Sequence, residues 1–335
     1  MAPRGERRFV LLQHLAKRWF LVLTLLGVWF AVQLPGPARA LFDRVETPVA
    51  AGTALFLMSS SLSSRRLFDS IRRPLPVALA VGVTWGLAPL LGWVAAPALL
   101  PEKFQAGLII VCCVPCTLAS AVIWTRMGGG NEAAALLVTM LTNVFVFVGT
   151  AGWLIFLTGR DAAFDAESLI LRLLAVVVAP IAAGQLLRAV RPLGWWIDER
   201  ISLVKTVGQL MVLLIIVKSA VDANARLAAG GEASWDVLQL AWCAAVCVGV
   251  HVALALVGFA GALTLVRRED AVAVGIAGSQ KTLPVAAYLV DSYFQEPQFA
   301  LAIVPVLFYH VGQLIVDTYL AEYVFLRGRG GAGGA

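Results

Sequence analysis

Charge is scarce in this sequence. Asp, Glu, Lys and Arg make up only 14% of its 335 residues, and three residues are histidine. An ordinary soluble domain carries about 25% charged residues. Hydrophobic residues make up 60%, and the mean hydropathy is +0.86. Water could not cover so much apolar surface, so the composition excludes a water-soluble globular protein and makes a bilayer the solvent.

The signals of soluble chemistry are missing too. No Walker A loop is present, which excludes an ATP-driven pump in itself, and no HExxH zinc motif occurs. No loop is long enough to be a catalytic domain. Five cysteines occur, Cys112, Cys113, Cys116, Cys243 and Cys247, all within apolar segments. Cys113 and Cys116 have redox-pair spacing but no thioredoxin-like surroundings, so they read as small packing residues. Gly128-Gly129-Gly130-Asn131 lies between two apolar stretches rather than after a strand. It is therefore no nucleotide loop and reads as a flexible cytoplasmic turn.

What the sequence does contain is ten apolar stretches, at about 19–35, 47–63, 74–97, 104–125, 132–157, 168–187, 203–222, 235–265, 270–290 and 298–326. Each is near the roughly 20 residues that cross a hydrocarbon core. The first follows a basic segment and could pass for a secretory signal. Pro37–Ala40 matches a cleavage box only loosely, so the run reads as a first membrane helix.

Basic residues choose the cytoplasmic side. With the N-terminus inside, the inside connectors collect Arg4, Arg7, Arg8, Lys17, Arg18, Arg65, Arg66, Arg72, Arg73, Arg126, Arg188, Arg191, Arg200, Lys205, Arg267, Arg268, Arg327 and Arg329. The outside connectors hold far fewer and carry Asp161, Asp165, Glu167, Glu232, Asp236, Asp291 and Glu296 instead. A wrong span count would blur this bias, so both termini are expected in the cytoplasm.

Ten spans suggest five plus five, and an odd number per half turns the second half upside down. The expected fold class is an all-α membrane protein with ten transmembrane helices in two inverted five-helix repeats. The expected layout is a cytoplasmic N-terminus over 1–18, repeats over 19–157 and 168–326, and a disordered tail over 327–335. The fourth span of each half carries an interruption: Pro115 beside Cys116, Thr117 and Ser120, and Pro284 after Gly278, Ser279, Gln280, Lys281 and Thr282. A proline within a helix frees backbone carbonyls. In lipid those groups need partners or a wet cavity, and matched interruptions point to a substrate or ion site.

Lys281 is the sharpest single residue, because an intramembrane lysine costs at least about 2.5–3.5 kcal/mol. It could stand in for a transported cation or exchange protons; a structural ion pair is the plainer alternative. Thr117, Ser120, Thr139, Thr142, Asn143, Ser279, Gln280 and Thr282 supply neutral oxygens suited to hard cations, though interhelical hydrogen bonding is the commoner fate of such side chains. Lys218 and Asp222, four apart on one helix face, are expected to pair. His310 could relay protons or simply pack.

The run from Thr117 to Ala133, with Thr125-Arg126 and Gly129-Gly130-Asn131-Glu132-Ala133, resembles the bile acid:sodium symporter superfamily. It looks most like the SBF-like branch, related to the seventh human member of that carrier family. Thr142-Asn143, Gly278-Ser279-Gln280-Lys281-Thr282-Leu283 and the run Pro305 to Leu314 extend the resemblance over about Trp19 to Phe325. It implies a core domain and a panel domain, with the interrupted spans crossing in the core. The sodium positions of the bile acid branch carry over incompletely. Ser120 matches that branch's Ser and Gln280 its Gln, and Thr139 and Thr142 can match the oxygens of its next helix. Ala121 stands where that branch has Asn, Ile276 where it has Glu, and Lys281 where it has Asn. These departures imply coupling to at most one sodium, or to protons through Lys281.

The resulting expectation is a secondary transporter of a small organic anion in a lipid bilayer, driven by sodium or protons, with no catalytic residues, no metal site and no cofactor apart from sodium as a transported or coupling ion. A bacterial inner membrane is the expected location. A regulatory membrane protein that controls calcium influx is the alternative. A membrane enzyme is disfavoured by the lack of paired carboxylates.

Overall fold

The computed structural model describes residues 19–62, 74–158, 166–229 and 236–325, apart from 295, 297, 298 and 300. The expected cytoplasmic N-terminus 1–18 and tail 327–335 lie outside the described residues. The described chain is helical, with no strand. Its elements are α1 Trp19–Gln33, α2 Pro35–Phe42, α3 Thr47–Ser60, α4 Pro74–Leu99, α5 Glu102–Cys113, α6 Ser120–Met127, α7 Glu132–Val144 and α8 Val146–Thr158. The second half continues with α9 Ala166–Ala189, α10 Arg191–Glu199, α11 Ile201–Ala229, α12 Val237–Leu263, α13 Arg268–Ser279, α14 Leu283–Tyr293 and α15 Ile303–Tyr319, which runs on as a π-helical turn to Phe325.

By length and composition, five helices can cross a membrane alone: α4, α9, α11, α12 and α15 with its π turn. Two bent pairs, α1–α2 at 113° and α7–α8 at 61°, add two more if each counts as one span. The three remaining apolar stretches hold the 14-residue α3 and the two interrupted pairs α5–α6 and α13–α14. The protein is thus an all-helical integral membrane protein. Its exterior agrees with that solvent: Leu186, Trp195, Leu238 and Phe156 are among the many large apolar side chains left exposed.

Two connectors differ from expectation. The basic connector around Arg191 to Arg200 is the amphipathic helix α10, with Trp195 and Trp196 exposed and Arg188 paired to Asp198 at 2.6 Å. A short helix with outward tryptophans suits a membrane–water interface. The Gly128–Gly130 turn is packed rather than loose. Gly129 takes a left-handed φ of 70°. A Cβ on Gly130 would lie 2.7 Å from Val272 Cγ1 and 2.8 Å from Thr125 Cγ2. Asn131 then caps α7 through Ala133 N and Ala134 N, and its amide donates to Asp270 at 2.7 Å. Backbone space and side-chain capping together pin this turn to the start of α13.

The core sits where the interrupted pairs cross. α13 is buried from Asp270 through Ser279, and α14 from Leu283 through Val290. The two pairs meet directly: Thr282 N donates to Pro115 O at 2.9 Å. α5 comes close to the start of α15 at Gly107, where any side chain would strike the backbone of Ala302.

Candidate substrate and ion site

The first interruption, residues 114–119, exists because Pro115 cannot continue α5. Several of its backbone groups, and the last carbonyl of α5, find partners in side chains or in the other interruption. Thr150 Oγ1 donates to Cys113 O at 2.9 Å, and Asn143 Nδ2 donates to Cys116 O at 2.7 Å. Cys116 N donates to Thr142 Oγ1 at 3.3 Å. Val114 O accepts from Lys281 Nζ at 3.2 Å. Buried backbone groups must find such partners, because none is available from lipid.

The second interruption is Gln280–Thr282, in extended geometry, with Gln280 at φ −68°, ψ 140°. Pro284 is not in the gap. It occupies the first turn of α14, where its missing N–H costs nothing. Gln313 of α15 mimics a neighbouring backbone here: its Oε1 accepts from Lys281 N at 2.9 Å and its Nε2 donates to Lys281 O at 3.0 Å. Tyr309 OH donates to Ser279 O at 2.7 Å.

Extended backbone sends consecutive side chains to opposite sides. Gln280 and Lys281 therefore serve two separate networks. Lys281 is 1% exposed and reaches Thr84 O at 2.7 Å. That carbonyl is free for a local reason. Residues 83–87 form a π turn in which Ala88 N bonds Val83 O, and Pro89 has no N–H to offer. The same proline frees Trp85 O, which accepts from Trp153 Nε1.

Gln280 faces the other network. Its Oε1 lies 2.7 Å from both Thr117 Oγ1 and Ser120 Oγ, which are 2.6 Å from each other. Its Nε2 donates to Asp317 Oδ2, and Asp317 Oδ1 meets His251 Nε2 at 2.9 Å. Asp317, His251 and Gln280 are all fully buried.

A cavity of about 120 Å³ lies beside the crossing, lined by Thr117, Ser120, Lys205, Thr282, Leu283 and His310, with Ser61, Gln209 and apolar groups from α1, α3, α11 and α15. Its wall includes the first residues of α6 and α14, so two helix N-termini with their partial positive charge face it. Lys205 adds a full positive charge.

The candidate residues thus fall into three places. Thr117, Ser120, Thr282 and His310 line the cavity. Gln280 stands directly behind Thr117 and Ser120. Lys281 lies outside the wall, on carbonyls. Thr142 and Asn143 hold the first interruption, whereas Thr139 and Ser279 bond back to their own helices at Leu136 O and Gly275 O. Asn143 Oδ1 has no hydrogen-bond partner among the described residues. Lys218 and Asp222 pair at 2.6 Å. The candidates named from sequence do not include Asp317, His251 or Thr84. Ionisable residues within apolar stretches are a signal that finds the first two. Nothing local marks Thr84, whose carbonyl matters only through Pro89.

Compared with known proteins, residues 18–325 match the family described as the SBF-like CPA transporter family. An uncharacterized protein of Pseudomonas aeruginosa is 26% identical over 309 residues, covering 90% of this chain and 91% of that protein. Sodium/bile acid cotransporter 7 of Xenopus tropicalis is 25% identical over 326 residues, covering 94% of this chain and 93% of its own. A chloroplastic protein of Arabidopsis thaliana, named as a probable sodium/metabolite cotransporter BASS4, is 26% identical over 247 residues, covering 69% of this chain and 55% of its own.

Proposed function

The chain belongs to the SBF-like CPA transporter family, and on that premise we propose that it is a secondary active transporter of a small organic anion, coupled to sodium or protons. The observation that carries this is the cavity at the crossing. Each helix N-terminus is equivalent to about half a positive charge, so two of them with Lys205 offer about two positive charges to one solute. The hydroxyls of Thr117, Ser120 and Thr282 line the same wall. At about 120 Å³ the cavity is well under the roughly 300–1,000 Å³ of drug-sized pockets. A short carboxylate suits it better than a steroid. The cotransporter names of its relatives favour cation coupling.

Alternating access is the proposed mechanism, with α1–α8 and α9–α15 read as two inverted halves. Lys205 lies near one end of α11, on the cavity side. Arg226, about 30 Å further along the same helix, bridges to α14 through Asp291 at 3.7 Å and Phe294 O at 3.2 Å. In this reading the cavity is approached from the Lys205 end, and the Arg226 bridge closes the route past α14. Breaking that bridge while the interrupted pairs move against α11 would expose the site to the other side.

The test is uptake of labelled short carboxylates, acetate to succinate, into liposomes holding the purified protein. A sodium gradient, a pH gradient and no gradient are compared. Accumulation under one gradient, lost in Lys205→Glu, is the expected result. Movement of no carboxylate under either gradient rejects the reading.

A further inference from the structure

Thr117 Oγ1, Ser120 Oγ and Gln280 Oε1 form a triangle with edges of 2.6, 2.7 and 2.7 Å. Three edges of hydrogen-bond length have only two hydroxyl protons to fill them, and Thr117 Oγ1 already accepts from Ala121 N. Oxygens this close are bound through protons; they leave no gap for an ion among them. The fourth member is Asp317, fully buried and joined to the triangle only through the Gln280 amide. Burying an unmatched carboxylate is costly. The groups that match it are Gln280 Nε2 and His251 Nε2.

We infer that Gln280 senses whether Asp317 carries a proton and sets, through Thr117 and Ser120, whether the cavity wall offers an anion hydrogen-bond donors, so that a proton accompanies the anion. This rests on the transport reading above.

With Asp317 ionised, the Gln280 amide nitrogen must face it, as observed. The amide oxygen then faces the hydroxyls, and both hydroxyl protons are drawn toward Gln280, away from the cavity. With Asp317 protonated, its O–H donates to the amide oxygen, and the amide turns over. The two N–H groups of Gln280 then donate to Thr117 Oγ1 and Ser120 Oγ. Both hydroxyl protons are released and can donate to an anion in the cavity that these residues line. The proton comes from water with the anion and leaves with it, so the pair moves with one negative charge cancelled.

The titratable surroundings of Asp317 are few. α12 presents His251; the first interruption brings Cys116; α15 itself brings Tyr309, beside which lie Cys112 and Cys247, and two turns before Asp317 it carries His310 on the cavity wall. On α11 and α14, which also pack on α15, Lys218 is bound to Asp222, Asp291 to Arg226, and Lys205 lies on the cavity wall. Beyond α15, Glu322 lies on the following π turn. Asp317 and His251 form the one carboxylate–imidazole pair among the described residues.

The experiment uses full-length protein in lipid. Infrared difference spectra between high and low pH are recorded for wild type, Asp317→Asn and Gln280→Leu. Thermal stabilisation by acetate, and by methanesulfonate, which stays ionised throughout, is followed over the same range. In wild type the carboxyl carbonyl region should gain, on acidification, a band at the frequency of a buried acid, distinct from those of the exposed carboxyl groups, and apparent anion affinity should rise by up to about tenfold per pH unit while one proton is taken up. In Asp317→Asn the band should vanish. The asparagine amide mimics the protonated acid, so anion affinity should be high and independent of pH. In Gln280→Leu the band should remain while the pH dependence of anion affinity disappears. A band that persists in Asp317→Asn, or wild-type pH dependence in either variant, overturns the inference. Neither readout requires flux, so a failure here overturns the switch alone, and absence of uptake in the liposome experiment separately rejects the transport reading.

Discussion

Gln313 offers the sharpest test of how the second interruption is held. Its side chain makes two hydrogen bonds to the backbone of Lys281, at 2.9 and 3.0 Å, and is fully buried. Gln313→Leu keeps most of the volume and removes both. Hydrogen bonds between membrane helices average about 0.6 kcal/mol and reach about 1.7 kcal/mol, because the unfolded chain in lipid also finds partners. Here the partners left behind are an N–H and a C=O in a non-helical segment, which cannot satisfy themselves. The full penalty for an orphaned buried group, about 1–3 kcal/mol each, is therefore the better guide. A total of about 2–6 kcal/mol is expected. Protonated, Gln313→Glu keeps an acceptor for Lys281 N and, in its O–H, a donor to Lys281 O, so it should cost less than Gln313→Leu. The assay is thermal or denaturant unfolding in a fixed detergent, with fluorescence of the many tryptophans as the probe. Loss of less than about 1 kcal/mol in Gln313→Leu would refute the claim that this side chain replaces a missing backbone partner.

Further outcomes follow from the same geometry. Lys281→Met should lose less stability than Gln313→Leu, because leaving Thr84 O and Val114 O without a donor is offset by no longer burying an amine; comparative unfolding decides. If Lys281 stands for a cation, wild-type thermal stability should ignore sodium while Lys281→Ala gains a sodium-dependent rise; a strong wild-type response sinks that role. Gly130→Ala should cost about 1–3 kcal/mol, since its Cβ meets Val272 and Thr125 below 3 Å, and an unchanged melting temperature would show that the turn relaxes freely. Arg226→Gln and Asp291→Asn should each impair uptake, and a double-mutant cycle should show coupling of about 0.2–1 kcal/mol, as befits a half-exposed pair; strict additivity argues against a latch.

Some of this protein was determined by its sequence alone. Sparse charge and ten apolar stretches make the bilayer its solvent, and helices follow because stretches of about 20 residues suit a self-satisfied helix and not a barrel strand. Pro115 and Pro284, each beside a polar run, marked the two interruptions, although Pro284 lies in the first turn of α14 and the gap itself is Gln280–Thr282. Lys218 and Asp222 were legible because a helix places residues four apart on one face. Tertiary structure decided the rest. That Lys281 faces carbonyls instead of the cavity depends on Thr84 O, nearly two hundred residues away in sequence and freed by a proline whose local pattern reads as an ordinary kink. That the Gly128–Gly130 turn is tight depends on Val272 packing against it. The carboxylate behind the candidate site is Asp317, from the last helix, joined to Gln280 because α15 packs against the second interruption. Local patterns report helix, burial and interruption. Which buried polar groups meet is set by the crossing of helices far apart in the chain, and no local pattern carries that information.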